Sequence, residues 1–430
     1  MQYFSTNRKS PAADFEESVL SGQPDDKGLY FPESVPQLSR DFISSLDKKS
    51  NEQIAYEVIR PYVGGKIVDE ALQQICAETI SFSFPVVKIS PRISALELFH
   101  GPTLAFKDVG ARFMSRCLAY FSHDRGEKTV VVVATSGDTG GAVAAGFHGM
   151  EAVEVVILYP KGKVSRIQER QLTSLGGNVT TLELRGTFDN CQTLAKQALA
   201  DRELKKRARV TSANSINIAR WLPQQFYYFF AAKEFDGEPP AISVPSGNFG
   251  NLAAGLLAQR SGLPVERFIA ACNSNDVVPQ YLATGQLHPR HAVPTLSNAM
   301  DVGDPSNWVR VMEIFGNDLT KLTDKLVAAS VSDERTRRTM REVYEKTGYV
   351  LDPHGAVGYH ALEEYLDGDN GGRGVFLATA HPIKFDSVRE IIGNYGAIHE
   401  SIGDLGNRPK HKIEIAPEYQ ALKEILLSKT

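Results

Sequence analysis

Cysteine is scarce. Cys76, Cys117, Cys191 and Cys272 are the only four in 430 residues, far apart and mostly inside apolar-patterned stretches. That spacing supports neither a disulfide framework nor a zinc site, so no metal is expected, and the four read as small buried side chains in a reducing compartment. Long apolar runs are also missing: no stretch is fit to span a bilayer, and the opening Met-Gln-Tyr-Phe-Ser-Thr-Asn-Arg has no apolar signal core. A cytoplasmic location and no membrane partner are expected. Nor is there an excess of one charge. The net charge of -4, with no clustered basic stripe, argues against a nucleic-acid partner and for a small molecule.

What is present is an alternation of strand and helix. The run Thr129-Val-Val-Val-Val-Ala134 is too short and too β-branched for a helix and reads as a buried strand. Further strands are expected at Val153 to Tyr159, Val179 to Leu184 and Arg209 to Ala213, with helices at about Val164 to Leu175 and Asp189 to Ala200 between them. After Asp236-Gly237 the pattern resumes: strand Ala241 to Val244, helix Leu252 to Gln259, strand Arg267 to Cys272 and a late strand Gly374 to Ala378. The expected fold is α/β, with two open parallel-sheet lobes covered by helices, a cleft between them and a helical N-terminal region. The expected divisions are a helical region at 1–94, a smaller mobile α/β domain at 95–225 with Lys107 at its border, and a large α/β domain at 226–430. The last carries a mainly helical insert at about 285–372, with an amphipathic run from Ser332 to Lys346, and a loose stretch at about 401–414.

The segment Glu97-Leu-Phe-His-Gly-Pro-Thr-Leu-Ala-Phe-Lys-Asp-Val-Gly110 is the most unusual. Downstream, Phe113, Met114, Cys117, Leu118 and Phe121 follow helical spacing, which puts Lys107 at or just before a helix start. A cation there opposes the helix dipole, and Leu104, Ala105, Phe106 and Val109 would strip water from it. Both effects lower its basicity, as a lysine needs if it is to condense with a carbonyl.

Ligands of open α/β sheets collect beyond the carboxyl ends of strands, so the turns there matter most. Thr135-Ser-Gly-Asp-Thr-Gly-Gly141 lacks both G-x-G and G-K-[ST]; its hydroxyls and N–H groups suit a carboxylate or serve equally as a well-capped tight turn. Ser246-Gly-Asn-Phe-Gly-Asn251 has the small residues and helix start of a phosphate cradle. In Thr211-Ser-Ala-Asn-Ser-Ile-Asn-Ile-Ala-Arg220, Asn214 or Ser215 can cap a helix and Arg220 can reach back to an anion, or the Arg is simply solvated. His381 and Lys384, in Leu377-Ala-Thr-Ala-His-Pro-Ile-Lys-Phe385, can serve a site there or simply close the turn, and the turn is the favoured reading. Lys161, Lys163 and Arg166 read as a solvated basic surface.

The stretch from His100 to Gly110 resembles the pyridoxal-phosphate attachment segment of the fold type II serine/threonine dehydratase and threonine synthase group. The longer string from Glu97 to Asp108, with Gly28-Leu-Tyr-Phe-Pro32 near the start, is similar to the threonine synthase family in particular. With gaps, the resemblance runs from Gly28 to Phe385. It implies pyridoxal 5'-phosphate as cofactor and Lys107 as the catalytic lysine that carries it. The cofactor phosphate would lie on Gly247, Asn248, Phe249 and Asn251, and Thr379 would meet the pyridine nitrogen. Ser136, Gly137 and Thr139 would grip the substrate carboxylate, and Asn214, Ser215 and Arg220 its phosphate. Asp138 stands where Asn is usual in the wider group and meets the cofactor's ring oxygen, and its contact is left open. Pro223 replaces a more usual alanine, so a kinked helix near Arg220 is expected. The activity implied is conversion of O-phosphohomoserine and water to threonine and phosphate by a monomer or homodimer. The alternative is a phospho-lyase or serine/threonine dehydratase that releases a 2-oxo acid and ammonia.

Overall fold

The computed structural model describes residues 1–122, 128–235, 238–370, 372–396 and 403–430. Asp236-Gly237, after which the strand–helix pattern resumes in the sequence, and residues 401 and 402 of the expected loose stretch lie outside the described residues.

Thirteen strands form three sheets among the described residues. β1 (Tyr3–Ser5) and β2 (Tyr30–Pro32) pair antiparallel, so Gly28 to Pro32 is a turn running into a short strand. The larger sheet takes β3 (Val86–Lys88), β4 (Ile93–Glu97), β9 (Ala241–Pro245), β10 (Arg267–Cys272), β11 (Leu326–Ser330) and β12 (Gly374–Ala378). Its order is β11-β10-β9-β12-β4-β3, parallel except for the antiparallel edge strand β3. The smaller sheet takes β5 (Thr129–Ala134), β6 (Val153–Pro160), β7 (Val179–Leu184), β8 (Arg209–Ser212) and β13 (Ile413–Ile415). It is all parallel, in the order β13-β7-β6-β5-β8. Every residue of β5 is buried, as expected of a strand with helices on both faces.

The elements depart from the expected divisions in three places. Residues 86–94, assigned to the helical N-terminal region, and 95–97, assigned to the smaller domain, supply β3 and β4 at the edge of the larger sheet. Ile-Ser-Ala-Leu-Glu is rich in helix formers, and pairing with β12 overrides that preference. The insert at 285–372 contains β11, an Ala-rich strand held by β10. Residues 413–415 and the helix Tyr419–Leu427, counted with the large domain, join the smaller sheet beside β7 and the helix Phe188–Ala200. All four cysteines are buried and unpaired. No helix among the described residues is long and apolar enough to cross a membrane.

Pro223 acts locally rather than by kinking a long helix. The helix Ile218–Trp221, capped by Asn217 instead of Asn214 or Ser215, passes into a 3-10 turn over Leu222–Gln225 and then into the helix Phe226–Ala232. A proline near the start of that turn has no N–H to lose there. Phe-Tyr-Tyr-Phe-Phe-Ala is buried on all sides, so the hydroxyls of Tyr227 and Tyr228 must find partners inside the protein.

Candidate active site

Four strand ends, those of β5, β8, β9 and β12, open onto one cavity of about 650 Å³ between the two larger sheets. Lys107, Ser136, Asp138, Thr139, Asn214, Ser215, Arg220, Gly247, Asn248, Phe249, Asn251 and Thr379 all line it. Of the expected site residues only Gly137 does not. It has φ +143°, and a Cβ on it would stand 2.4 Å from the Gln168 side chain, so it is needed for close packing beneath the turn.

Lys107 is the first residue of the helix Lys107–Ser122. The turn before it is tied down on all sides. Phe106 N–H donates to Thr379 O, His381 N–H to Leu104 O, and Arg220 Nη1 to Lys107 O at 3.2 Å. Asp108 accepts from the Thr103 N–H and hydroxyl at 2.9 and 2.6 Å. Burial lowers the Lys107 amine to about 8; Asp138 opposes the shift, and Arg220 and Lys384 add to it. Such an amine is neutral for an appreciable fraction of the time near neutral pH.

Asp138 starts the helix Asp138–Phe147 and is 5% exposed. Burial alone would raise its carboxyl, but Lys384, Lys107 and a hydrogen bond from Gln168 outweigh that and hold it at about 2. Lys384 Nζ lies 2.6 Å from Asp138 Oδ1, with both side chains inside the protein. Lys384 is therefore more than a turn residue. His381 does close the turn, accepting from Ile383 N–H.

At the start of the helix Gly250–Arg260, Phe249 takes a left-handed φ of +59° and Gly247 packs so tightly that a Cβ would stand 2.5 Å from Met300 Cα. Asn251 Oδ1 accepts from Tyr227 and Tyr228 at 2.6 and 2.8 Å, which fixes the orientation of its amide. Asn251 Nδ2 is then a buried donor without a partner. Asn248 spends its amide otherwise, donating to Ser215 Oγ at 3.2 Å and accepting from Ser306 N–H at 2.7 Å.

Asn214 lines the cavity, but its amide bonds both the N–H and the C=O of Ala134 at 3.2 and 2.8 Å, tying β5 to the end of β8. Ser215 Oγ accepts from Asn248 and Asn307, leaving its own O–H to donate. Arg220 is 4% exposed, burial lowers it to about 10, and its Nε has no partner.

Residues 90–379 match the family described as Pyridoxal-phosphate dependent enzyme, residues 2–80 match Threonine synthase N terminus, and 355–426 match Threonine synthase, C-terminal. The chain belongs to the threonine synthase family. It is similar to the threonine synthase of Serratia marcescens, at 46% identity over 99% of each chain. The crystal structure of threonine synthase from Escherichia coli superposes with a TM-score of 0.94 at 41% identity over the whole of both chains. The pyridoxal-phosphate-bound threonine synthase from Brucella melitensis gives 0.92 at 35% identity, covering 100% of this chain and 99% of that one. Like its family, the chain is a pyridoxal-phosphate-dependent lyase with an α/β fold.

Several residues around this threonine synthase-type cavity carried no sequence signal of their own. Arg310 is fully buried and donates to four neutral oxygens, those of Ser215, Ile216, Tyr30 and the Asn307 side chain, with its guanidinium 4.4 Å from the Trp221 ring centre. Burial lowers it to about 9. His354, on the cavity wall, shares a 2.6 Å hydrogen bond with Asp352 and accepts from Ala299 N–H, which holds the segment packed against Gly247. A tyrosine pair in an otherwise apolar run was the one available signal, pointing to a buried polar partner such as Asn251.

Proposed function

We propose that this chain converts O-phosphohomoserine and water to threonine and phosphate, with pyridoxal phosphate held at Lys107. The observation that carries this reading is one cavity in which an amine of lowered basicity is ringed by three groups of anion donors. When bound, the cofactor supplies the electron sink at the carbon that bears the substrate nitrogen.

The residues fit that cofactor. Asn251 Nδ2 is a buried donor in want of an acceptor, and it sits where the helix Gly250–Arg260 presents its positive end. In this reading Gly247, Phe249 and the backbone at Asn248 complete the phosphate cradle. Thr379, on the cavity wall, would offer the pyridine nitrogen a hydroxyl, which would leave ring protonation unforced.

Ser136 and Thr139, at the start of the helix Asp138–Phe147, hold the substrate carboxylate, with Gly137 giving the turn its shape. Ser215 and Arg220 hold the substrate phosphate. Arg220 has an unpartnered buried Nε and a charge that only an anion would offset fully. Asn214 keeps that site in place through Ala134 rather than by touching the ligand. Lys107 takes protons from Cα and Cβ of the substrate and returns protons at Cγ and Cα, while phosphate leaves from Cγ and water adds at Cβ. Closure of residues 95–225 over the substrate would keep other water out.

Product analysis tests the reading. Purified holoenzyme given O-phosphohomoserine is expected to release threonine and phosphate in equal amounts. Release of 2-oxobutyrate and ammonia would contradict it and identify a phospho-lyase.

A further inference from the structure

Lys384 reaches the site from the turn after β12, and its side chain has no contact with solvent. Its Nζ pairs with Asp138 Oδ1 at 2.6 Å and donates to Thr103 O at 2.8 Å. The same two acceptors are held from the helix Arg166–Thr173, Asp138 Oδ1 by Gln168 Nε2 and Thr103 O by Gln171 Nε2. Thr103 in turn gives its N–H and hydroxyl to Asp108, the neighbour of Lys107. One ammonium thus joins the wall that bears Asp138 to the turn that bears Lys107.

An ion pair so deeply buried contributes little net stability, because desolvating both charges offsets most of their attraction. Both of its charges also act on the neighbouring amine. The charged groups that act on Lys107 are Asp138 from the start of its helix, Arg220 from the helix Ile218–Trp221 and Lys384 from the 382–384 turn. Asp108, on the same helix as Lys107, is turned to Thr103. Of these, only Asp138 favours the protonated amine.

We propose that Lys384 is a positioning residue of the reaction: it neutralises Asp138, so that this carboxylate does not draw a proton onto Lys107, and fixes the two in one arrangement. The inference rests on Lys107 being the lysine that carries the cofactor.

The test compares holoenzymes of the parent, Lys384→Met, Lys384→Arg, Asp138→Asn and Asp138→Asn/Lys384→Met. For each, the cofactor absorbance is titrated with pH and the acid limb of kcat/KM is followed. In Lys384→Met both midpoints are expected to rise by about one pH unit or more, the shift an unpaired carboxylate imposes on a nearby base. Removing Asp138 as well should return them toward the parent values, Lys384→Arg should hold them there, and Asp138→Asn alone should lower them. If Lys384→Met does not fold, the Asp138→Asn and double variants still decide, because the double variant must titrate above Asp138→Asn. Coincident titrations in all five proteins, with only melting temperatures changed, would overturn the proposal. Borohydride-stable cofactor in Lys107→Ala would overturn both the assignment of Lys107 and the proposal; unshifted titrations with the label on Lys107 would overturn the proposal alone.

Discussion

The Tyr228 hydroxyl lies within hydrogen-bonding distance of two oxygens of Asn251, the side-chain Oδ1 at 2.8 Å and the backbone O at 3.0 Å. Tyr227 adds a second donor to Oδ1 at 2.6 Å, so the amide can turn only its N–H2 toward the cavity. The helix Phe226–Ala232, buried on all sides, thereby orients an amide on another element, the one proposed to meet the cofactor phosphate.

Asn251→Ala should weaken pyridoxal-phosphate binding by about 10- to 100-fold, the worth of a hydrogen bond to a charged group. Tyr228→Phe should weaken it less, because Tyr227 still orients the amide. Titration of the apoenzyme with cofactor, followed by fluorescence, measures both. Equal affinities for parent and Asn251→Ala would remove Asn251 from the cradle.

Lys107 makes the apoprotein less stable. Its folded-state pKa of about 8 lies below the ordinary lysine value of 10.5, so between these the unfolded chain binds more protons and stability rises with pH. Below about pH 8 the folded state carries the full cost of a desolvated ammonium. Lys107→Met apoenzyme should therefore be more stable than the parent near pH 7 by on the order of 3 kcal/mol. That advantage should fade by about pH 10.5. Urea unfolding at both pH values checks it, and a pH-independent difference would contradict it.

Much of this architecture is legible in the sequence. Valine-rich runs at 130–133 and 155–156 mark buried parallel strands, and the turns after β5 and β9 carry Ser, Thr, Gly and Asn where a helix start can hold an anion. Lys107 is legible because its apolar neighbours and the helical pattern behind it are local. Lys384 and Arg310 are not, because their partners Thr103 and Tyr30 lie 281 and 280 positions away. Nor does local sequence separate an asparagine that meets a ligand from one, like Asn214, whose amide is spent on a strand end. β4 escapes a propensity reading for the same reason, since its strand state is set by β12.

Arg310→Met should act on the substrate site and the fold together. It leaves the carbonyls of Tyr30, Ser215 and Ile216 short of a buried donor. The expected cost is about 3 kcal/mol or more of stability, and KM should rise more than kcat falls, because Ser215 shifts while Lys107 does not. Urea unfolding and steady-state kinetics separate the two effects. An unchanged KM would mean that Ser215 does not hold the substrate.

Gly247→Ala forces a methyl group to within 2.5 Å of Met300 Cα, a backbone atom that cannot rotate away. Overpacking of this kind costs about 1–3 kcal/mol and should displace the cradle loop, lowering cofactor affinity in the same apoenzyme titration. Parent-like affinity and melting temperature together would show that the loop yields without consequence.

The central claim is that Lys107, and not the more deeply buried Lys384, bears the cofactor. Reducing the holoenzyme with borohydride, digesting it and locating the pyridoxyl group by mass spectrometry tests this most directly. The account predicts the label on the peptide containing Lys107, at about one per chain; a label on Lys384 or on no lysine would contradict it.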